Sequence, residues 1–285
     1  MDHGTRDEDR SVKPPMRPTL GRHGARLARL RHLVRERAPG LAVVDGPKLV
    51  CELLSRGVEV AELYATGAAL ATMYASMGER ALAGGIEVFE VEPTVLERVA
   101  PTRHTQGAIA VVRHRPRALD LVAPILFLDR VQDPANVGAA IRCAGAFGGG
   151  GVACSPGCGD PYSPKAVRAS AGLSLTFPVA VDVDLAGLAA EVRAAGGAVV
   201  GAVASGGLEP RLWRPRLPLV LALGSEGGGL SEETLSLCQQ LITIPLAAPV
   251  ESLNVAVTAG VLLGGLAGLV PSPILNDVSE TGRAR

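Results

Sequence analysis

Apolar residues along this chain fall in short blocks, each bounded by glycine, proline or charged residues, and the blocks alternate between helical and strand periodicity. From Arg22 to Arg37, leucines at 27, 30 and 33 recur among six arginines, which predicts a basic amphipathic helix. Such a face is either simply solvated or turned toward RNA. Leu41–Val44, Val60–Ala65, Glu87–Val91 and Ala108–Arg113 read as strands. Between them Pro47 opens a helix that Gly57 closes, Ala68–Ser76 is a weaker helix, and Thr94-Val95-Leu96-Glu97 has capping-box spacing. Together these predict a compact α/β unit.

The second half repeats the alternation with more apolar strands. Ile125–Leu128, Val152–Cys154, Thr176–Val181, Ala198–Val203, Leu217–Leu223 and Leu241–Ile244 are predicted strands. Helices are predicted over Asn136–Phe147, from Ser163-Pro164, and over Asp184–Ala195, Ser231–Cys238 and Leu253–Leu266. Near-continuous apolar strands alternating with helices imply a parallel sheet covered on both faces. Taken alone, Asn136 reads best as the N-cap of its helix. The expected organisation is a disordered tail over 1–22, a small α/β domain over 23–114, a linker at Arg115-Pro116-Arg117, a parallel-sheet domain over 118–270, and a flexible tail over 271–285.

Composition adds limits. At 285 residues and 47% hydrophobic but only 3% aromatic, the cores must be aliphatic. The net charge of zero hides a split of +4 over residues 1–117 and −4 over 118–285, so an anionic partner would dock on the first half. Arg98 to Arg117 holds five arginines, two histidines and no acid, a run that is either a solvated edge or a phosphate contact. Five cysteines without C-x-x-C spacing suggest free thiols in a reducing compartment. The charged N-terminus is no secretory signal, and the apolar run ending at Val270 falls short of the roughly 20 residues a bilayer span needs. A cytoplasmic protein with no membrane segment is expected.

Residues 118–285 contain no histidine, which removes Ser-His-Asp and Cys-His mechanisms from that domain. There is no P-loop, no G-x-G-x-x-G after a strand, and no cluster with metal-ligand spacing, so no metal is expected. Three loops remain, each following a strand, where open α/β sheets bind ligands. They are Leu128–Gly138, leading to Arg142 in an otherwise apolar helix; Gly224–Leu230, with Glu226 among glycines; and Ile244–Asn254, where Glu-Ser-Leu-Asn precedes a helix with no polar face. Converging, they would make a pocket suited to a ligand with a polar amino-acid end and an adenine.

Asp-Pro-Ala-Asn-Val-Gly-Ala-Ala-Ile-Arg (133–142), Leu-Gly-Ser-Glu-Gly-Gly-Gly-Leu (223–230) and Ile-Pro…Glu-Ser-Leu-Asn-Val-Ala-Val (244–257) resemble the three ordered motifs of SpoU/TrmH-type RNA 2′-O-ribose methyltransferases, in the SPOUT superfamily. Val44–Val50 and His104–Gly107 look like the RNA substrate-binding domain that often precedes them. The resemblance implies S-adenosylmethionine as methyl donor, a trefoil knot and an obligate homodimer. It implies that Gly224, Ile244 and Leu253 contact the cofactor and that Asn136, Arg142, Glu226, Ser252 and Asn254 form the catalytic group, with Asn136 and Arg142 coming across the dimer. Large-subunit (23S) ribosomal RNA is the favoured substrate, in a housekeeping or antibiotic-resistance role. The competing expectations are a tRNA ribose methyltransferase and a non-catalytic RNA-binding protein of the same fold.

Overall fold

The computed structural model describes residues 19–20, 24–36, 38–78, 85–102 and 104–268. Apart from residues 19–20, the expected N-terminal tail over 1–22 lies outside these residues, as does the expected C-terminal tail over 271–285. Thr19–Leu20 (β1) pair with a later strand rather than standing apart.

The first unit is a five-stranded mixed sheet of order β1-β4-β3-β5-β2, built from β2 (Leu41–Asp45), β3 (Glu59–Ala65), β4 (Glu87–Val91) and β5 (Ala108–Arg113). The helices α1 (Ala25–Arg35), α2 (Pro47–Ser55), α3 (Gly67–Met77) and the one-turn α4 (Pro93–Glu97) connect or cover it. Leu27 and Leu30 seat α1 on Tyr64, Phe89 and Leu96, as the leucine spacing predicts. Two of its arginines are structural: Arg26 pairs with Glu87 and lies 4.5 Å over the Phe89 ring, and Arg29 pairs with Glu62. The predicted capping box does not form. Glu92 occupies the N-cap of α4 and Pro93 its first turn, which leaves Thr94 inside the helix.

The second unit is a six-stranded parallel sheet of order β11-β9-β10-β6-β7-β8. Its strands are β6 (Ile125–Asp129), β7 (Gly151–Cys154), β8 (Val179–Ala180), β9 (Ala198–Ala202), β10 (Leu219–Gly224) and β11 (Gln240–Ile242). Helices are α5 (Pro134–Ala146), α6 (Pro164–Ala169), α7 (Leu185–Ala194), α8 (Glu232–Leu237) and α9 (Val255–Ala267). The strands are apolar throughout because alternate residues serve two cores. Ile125, Phe127, Val220 and Ala222 face α7, whereas Leu126, Leu128, Leu221 and Leu223 join Val137, Ile141, Ala259 and Leu263 of α5 and α9. The strand predicted over Thr176–Val181 shrinks to two residues, because a 3-10 turn at Leu173–Leu175 and Pro178 occupy its approach.

The two units touch. Gly172, at φ +77°, sits where a Cβ would be 2.9 Å from Leu53 of α2, and His114 stacks on Tyr162 at 3.9 Å. Within the second unit α5 and α6 approach so closely that a Cβ on Gly138 would lie 2.3 Å from the Ala166 carbonyl oxygen.

Candidate active site

Asp133, not Asn136, caps α5. Its carboxylate accepts the Ala135 N–H at 2.8 Å, and Pro134 fills the first helical position, where a missing N–H costs nothing. The sequence reading of Asn136 as the cap is therefore corrected, and its side chain is free for other work. It donates from Nδ2 to Glu226 and accepts at Oδ1 from Asn254 Nδ2 at 3.0 Å. Asn254 in turn caps α9, with Oδ1 accepting the Ala256 N–H at 2.9 Å. Both amide orientations follow from this chain. The cap requires an oxygen toward Ala256, so the nitrogen must face Asn136, whose oxygen must then receive it.

Asn136 thus meets residues 90 and 118 positions away in sequence because three loops leave the same edge of the sheet. β6 and β10 are adjacent, with Asp129 opposite Gly224, and the topology reverses between them. Gly224 has a local reason to be glycine. A Cβ there would lie 2.0 Å from the Gly229 carbonyl carbon, because Ser225 and Gly229 exchange backbone hydrogen bonds that close the loop. That closure turns Glu226 outward toward Asn136.

Asp129 is a site residue that sequence reading missed. It is 3% exposed, and its carboxylate accepts the Ser231 N–H at 2.6 Å and the Arg130 Nε at 3.2 Å. Burial pushes its pKa up. The Ser231 N–H and hydroxyl, the Thr234 hydroxyl and the Arg130 guanidinium outweigh that and hold it below the ordinary value. The residue ties the end of β6 to the far end of the Gly224–Leu230 loop, fixing two of the three loops together. A carboxylate closing a strand marked it in the sequence, but its partner lies 102 positions away. Arg130 beside it has φ +54°, an unusual conformation for a non-glycine residue.

A cavity of about 310 Å³ opens over the ends of β9, β10 and β11. Leu223, Ile242, Ile244, Leu246 and Leu253 give it apolar walls, and Gly224–Gly227, Glu251 and Ser252 give it a polar rim. Gly224, Ile244 and Leu253 all line it, as do Glu226 and Ser252. Arg142 stands apart. It is exposed, has no ion pair among the described residues, and by helical geometry lies roughly 120° around α5 from Asn136. Asn136 meets Glu226 and Asn254 of its own chain; Arg142 meets neither. α9 buries Ala259, Leu262, Leu263 and Leu266, yet leaves Val257 50% and Val261 47% exposed, beside Phe147 at 37%.

Among the described residues no group of three His, Cys, Asp or Glu could hold a metal ion, and no helix is long and apolar enough to cross a membrane.

A parallel α/β sheet with an apolar cavity at the carboxyl ends of its strands, rimmed by Glu226, Glu251 and Ser252, defines a class of α/β proteins that bind a small ligand there. Comparison with known proteins narrows it. Residues 123–264 match the SpoU rRNA Methylase family, and residues 26–110 match the MRM3-like substrate binding domain. A Mycobacterium marinum protein described as an uncharacterized tRNA/rRNA methyltransferase is 33% identical over 273 residues, covering 91% of this chain and 88% of that one. The structure of the SpoU methyltransferase AviRb from Streptomyces viridochromogenes, in complex with AdoMet, aligns with TM-score 0.74 at 26% identity, over 86% of this chain and 98% of that one. An AdoMet-bound rRNA methyltransferase from Sinorhizobium meliloti aligns with TM-score 0.71 at 27% identity, over 85% and 93%. The chain belongs to the SpoU family of RNA methyltransferases, with a substrate-binding unit ahead of the methylase unit.

Proposed function

We propose that this protein transfers the methyl group of S-adenosylmethionine to a ribose 2′-hydroxyl in RNA, with large-subunit ribosomal RNA as substrate. The observation that carries the reading is the hydrogen-bonded chain Asn254–Asn136–Glu226, which reaches the apolar cavity through Glu226. The cavity suits the cofactor: about 310 Å³ falls at the lower end of small-molecule sites, with apolar walls for an adenosine and a polar rim for an amino-acid end. Gly224, Ile244 and Leu253 would hold it. When bound, the cofactor supplies an electrophilic sulfonium methyl.

The chain's own residues then have positioning and electrostatic work. Glu226, oriented by Asn136, accepts a hydrogen bond from a ribose hydroxyl, and Ser252 and Asn254 line the same approach. Arg142 stabilises the negative charge that builds on the 2′-oxygen as its proton passes to solvent water and its lone pair forms the new bond to the methyl carbon. A guanidinium remains protonated, so it serves as an electrostatic partner more readily than as a base. Its separation from Asn136 on α5 supports its delivery to the site of a partner subunit. The exposed apolar stripe of Val257, Val261 and Phe147 supports a homodimer through that face. The same reading places the protein in the cytoplasm, with the passage from β11 into α9 forming a trefoil knot.

The test is to incubate the protein with methyl-labelled S-adenosylmethionine and, separately, deproteinised ribosomal RNA and tRNA, then digest with alkali. Label in an alkali-resistant dinucleotide from ribosomal RNA is expected, since a 2′-O-methyl blocks cleavage. Label only in tRNA selects the second reading, which the relatives' description as tRNA/rRNA methyltransferases keeps in play. Label in a base removes the ribose chemistry.

A further inference from the structure

A second cleft, of about 270 Å³, lies where the two units meet, between the first turn of α2, the 101–107 loop and α6. Lys48 from α2, His104 from the loop and Arg168 from α6 line it, so both units contribute basic side chains. All three are exposed, and none has an ion pair among the described residues. Its two acids keep their charge but are held by groups other than Lys48 and Arg168. Asp45 accepts hydrogen bonds from the hydroxyls of Thr102 and Thr105, the latter at 2.8 Å, and Glu52 lies 3.8 Å from Arg56. Those two threonine bonds also pin the loop that presents His104. Lys48 and Arg168, cations from different units with no ion pair among the described residues, face one concave opening and suit an anion, and a phosphodiester has the size and single charge for it.

We propose that this interdomain cleft grips a backbone phosphate of the substrate RNA, so that one phosphate is held by both units at once. The proposal rests on the reading of the protein as an RNA methyltransferase and adds where the strand crosses from the substrate-binding unit to the methylase unit. The geometry links the cleft to the chemistry. α6 abuts α5 at Gly138, and Arg142 is one turn further along the same side of α5. A strand held at Arg168 therefore continues toward Arg142 over a rigid helix pair. Because Arg168 and Lys48 sit on different units, the held phosphate also fixes the angle between them.

The experiment titrates a fluorescein-labelled RNA hairpin from the large-subunit ribosomal RNA into the full chain at several salt concentrations. It compares wild type with Lys48→Gln, Arg168→Gln and the double variant. Because both side chains hold the one phosphate, each single substitution and the double variant alike are expected to lower the slope of log K against log salt by about one, whereas a loss of about two in the double variant would mean two separate phosphates and overturn the shared grip. Affinity for S-adenosylmethionine, titrated in parallel, is expected to match wild type in all of them. The exposed single variants carry the test should the double one be destabilised. Wild-type slopes in both single variants overturn the proposal while leaving the methyltransferase reading intact. A wild-type protein that binds S-adenosylmethionine but no RNA overturns the proposal and the choice of substrate together.

Discussion

Asn254 holds the start of α9 with its amide oxygen and Asn136 with its amide nitrogen, at 2.9 and 3.0 Å. One side chain thus couples a helix cap, which is a stability feature, through Asn136 to Glu226 on the rim of the candidate site's cavity. The coupling makes its two roles separable by substitution. Asn254→Ala is expected to cost about 1 kcal/mol of stability through the lost cap. Asn254→Ser keeps a capping oxygen and the melting temperature but gives up the donor to Asn136, so methyl transfer falls in both variants. Thermal melts beside single-turnover rates check this. A serine variant with wild-type turnover would show that the amide bond to Asn136 is idle.

Arg142→Ala is expected to abolish methyl transfer with cofactor affinity nearly unchanged, because the residue is remote from the cavity of its own chain. If the arginine serves the partner's site, subunits carrying Arg142→Ala mixed with subunits carrying Asn136→Ala should recover activity. Random pairing leaves one intact site in half of the dimers, or about a quarter of wild-type activity. No recovery after confirmed subunit exchange would place Arg142 in the site of its own chain.

Val257 and Val261 lie one turn apart and are half exposed on an otherwise buried helix. The double variant Val257→Asp, Val261→Asp is expected to convert a dimer into monomers in light scattering and to lose activity with it, since a charge does not survive in a desolvated interface. A dimeric double variant would mean that subunits meet elsewhere.

Asp129 gives a pH prediction. Its folded-state pKa is lowered, so its contribution is complete above the unfolded value, about 3.9, and disappears as pH falls through the folded one. Asp129→Asn is expected to cost about 2 kcal/mol near neutrality, the range for a hydrogen bond to a charged group. Urea denaturation at a series of pH values should show the gap to wild type closing below about pH 4. A constant gap down to pH 3 would contradict the carboxylate's role.

Cys158 is the most reactive thiol expected. The hydrogen bond from Cys154 is the largest influence, and the Ser155 hydroxyl and the N–H groups of Val131 and Arg130 add to it. Together they outweigh burial and bring its pKa down to about 7, while Cys154 retains its proton well above the usual value. Burial pushes Cys238 up to about 11. Iodoacetamide labelling followed by peptide mapping should find Cys158 modified first, with a rate midpoint near its pKa. Equal labelling of Cys158 and Cys238 at neutral pH would refute this.

Much of the architecture was written in local sequence. Proline and glycine placed the ends of α2, and Ser163-Pro164 opened α6 as expected, with Ser163 accepting the Ala166 N–H. The all-apolar strands announced a two-sided sheet because each residue's side follows from the pleat alone. Two of the three motif loops, Gly224–Leu230 and Ile244–Asn254, line the cavity as their position after strands suggested, whereas the Leu128–Gly138 loop lines none of it and meets the others only through Asn136. Other outcomes depended on partners distant in sequence. Asn136 looked like a cap because only its neighbours were visible; Asp133 took that role, and Asn136 turned to Glu226 and Asn254, 90 and 118 positions away. Asp129 acquired its meaning from Ser231, and Arg26 and Arg29 spent their charge on Glu87 and Glu62 rather than on an open face. Periodicity and capping preferences act over one or two turns, so the chain itself determined its elements and their order. Which polar groups meet depends on how the sheet brings loop ends together, and only the tertiary structure decided that.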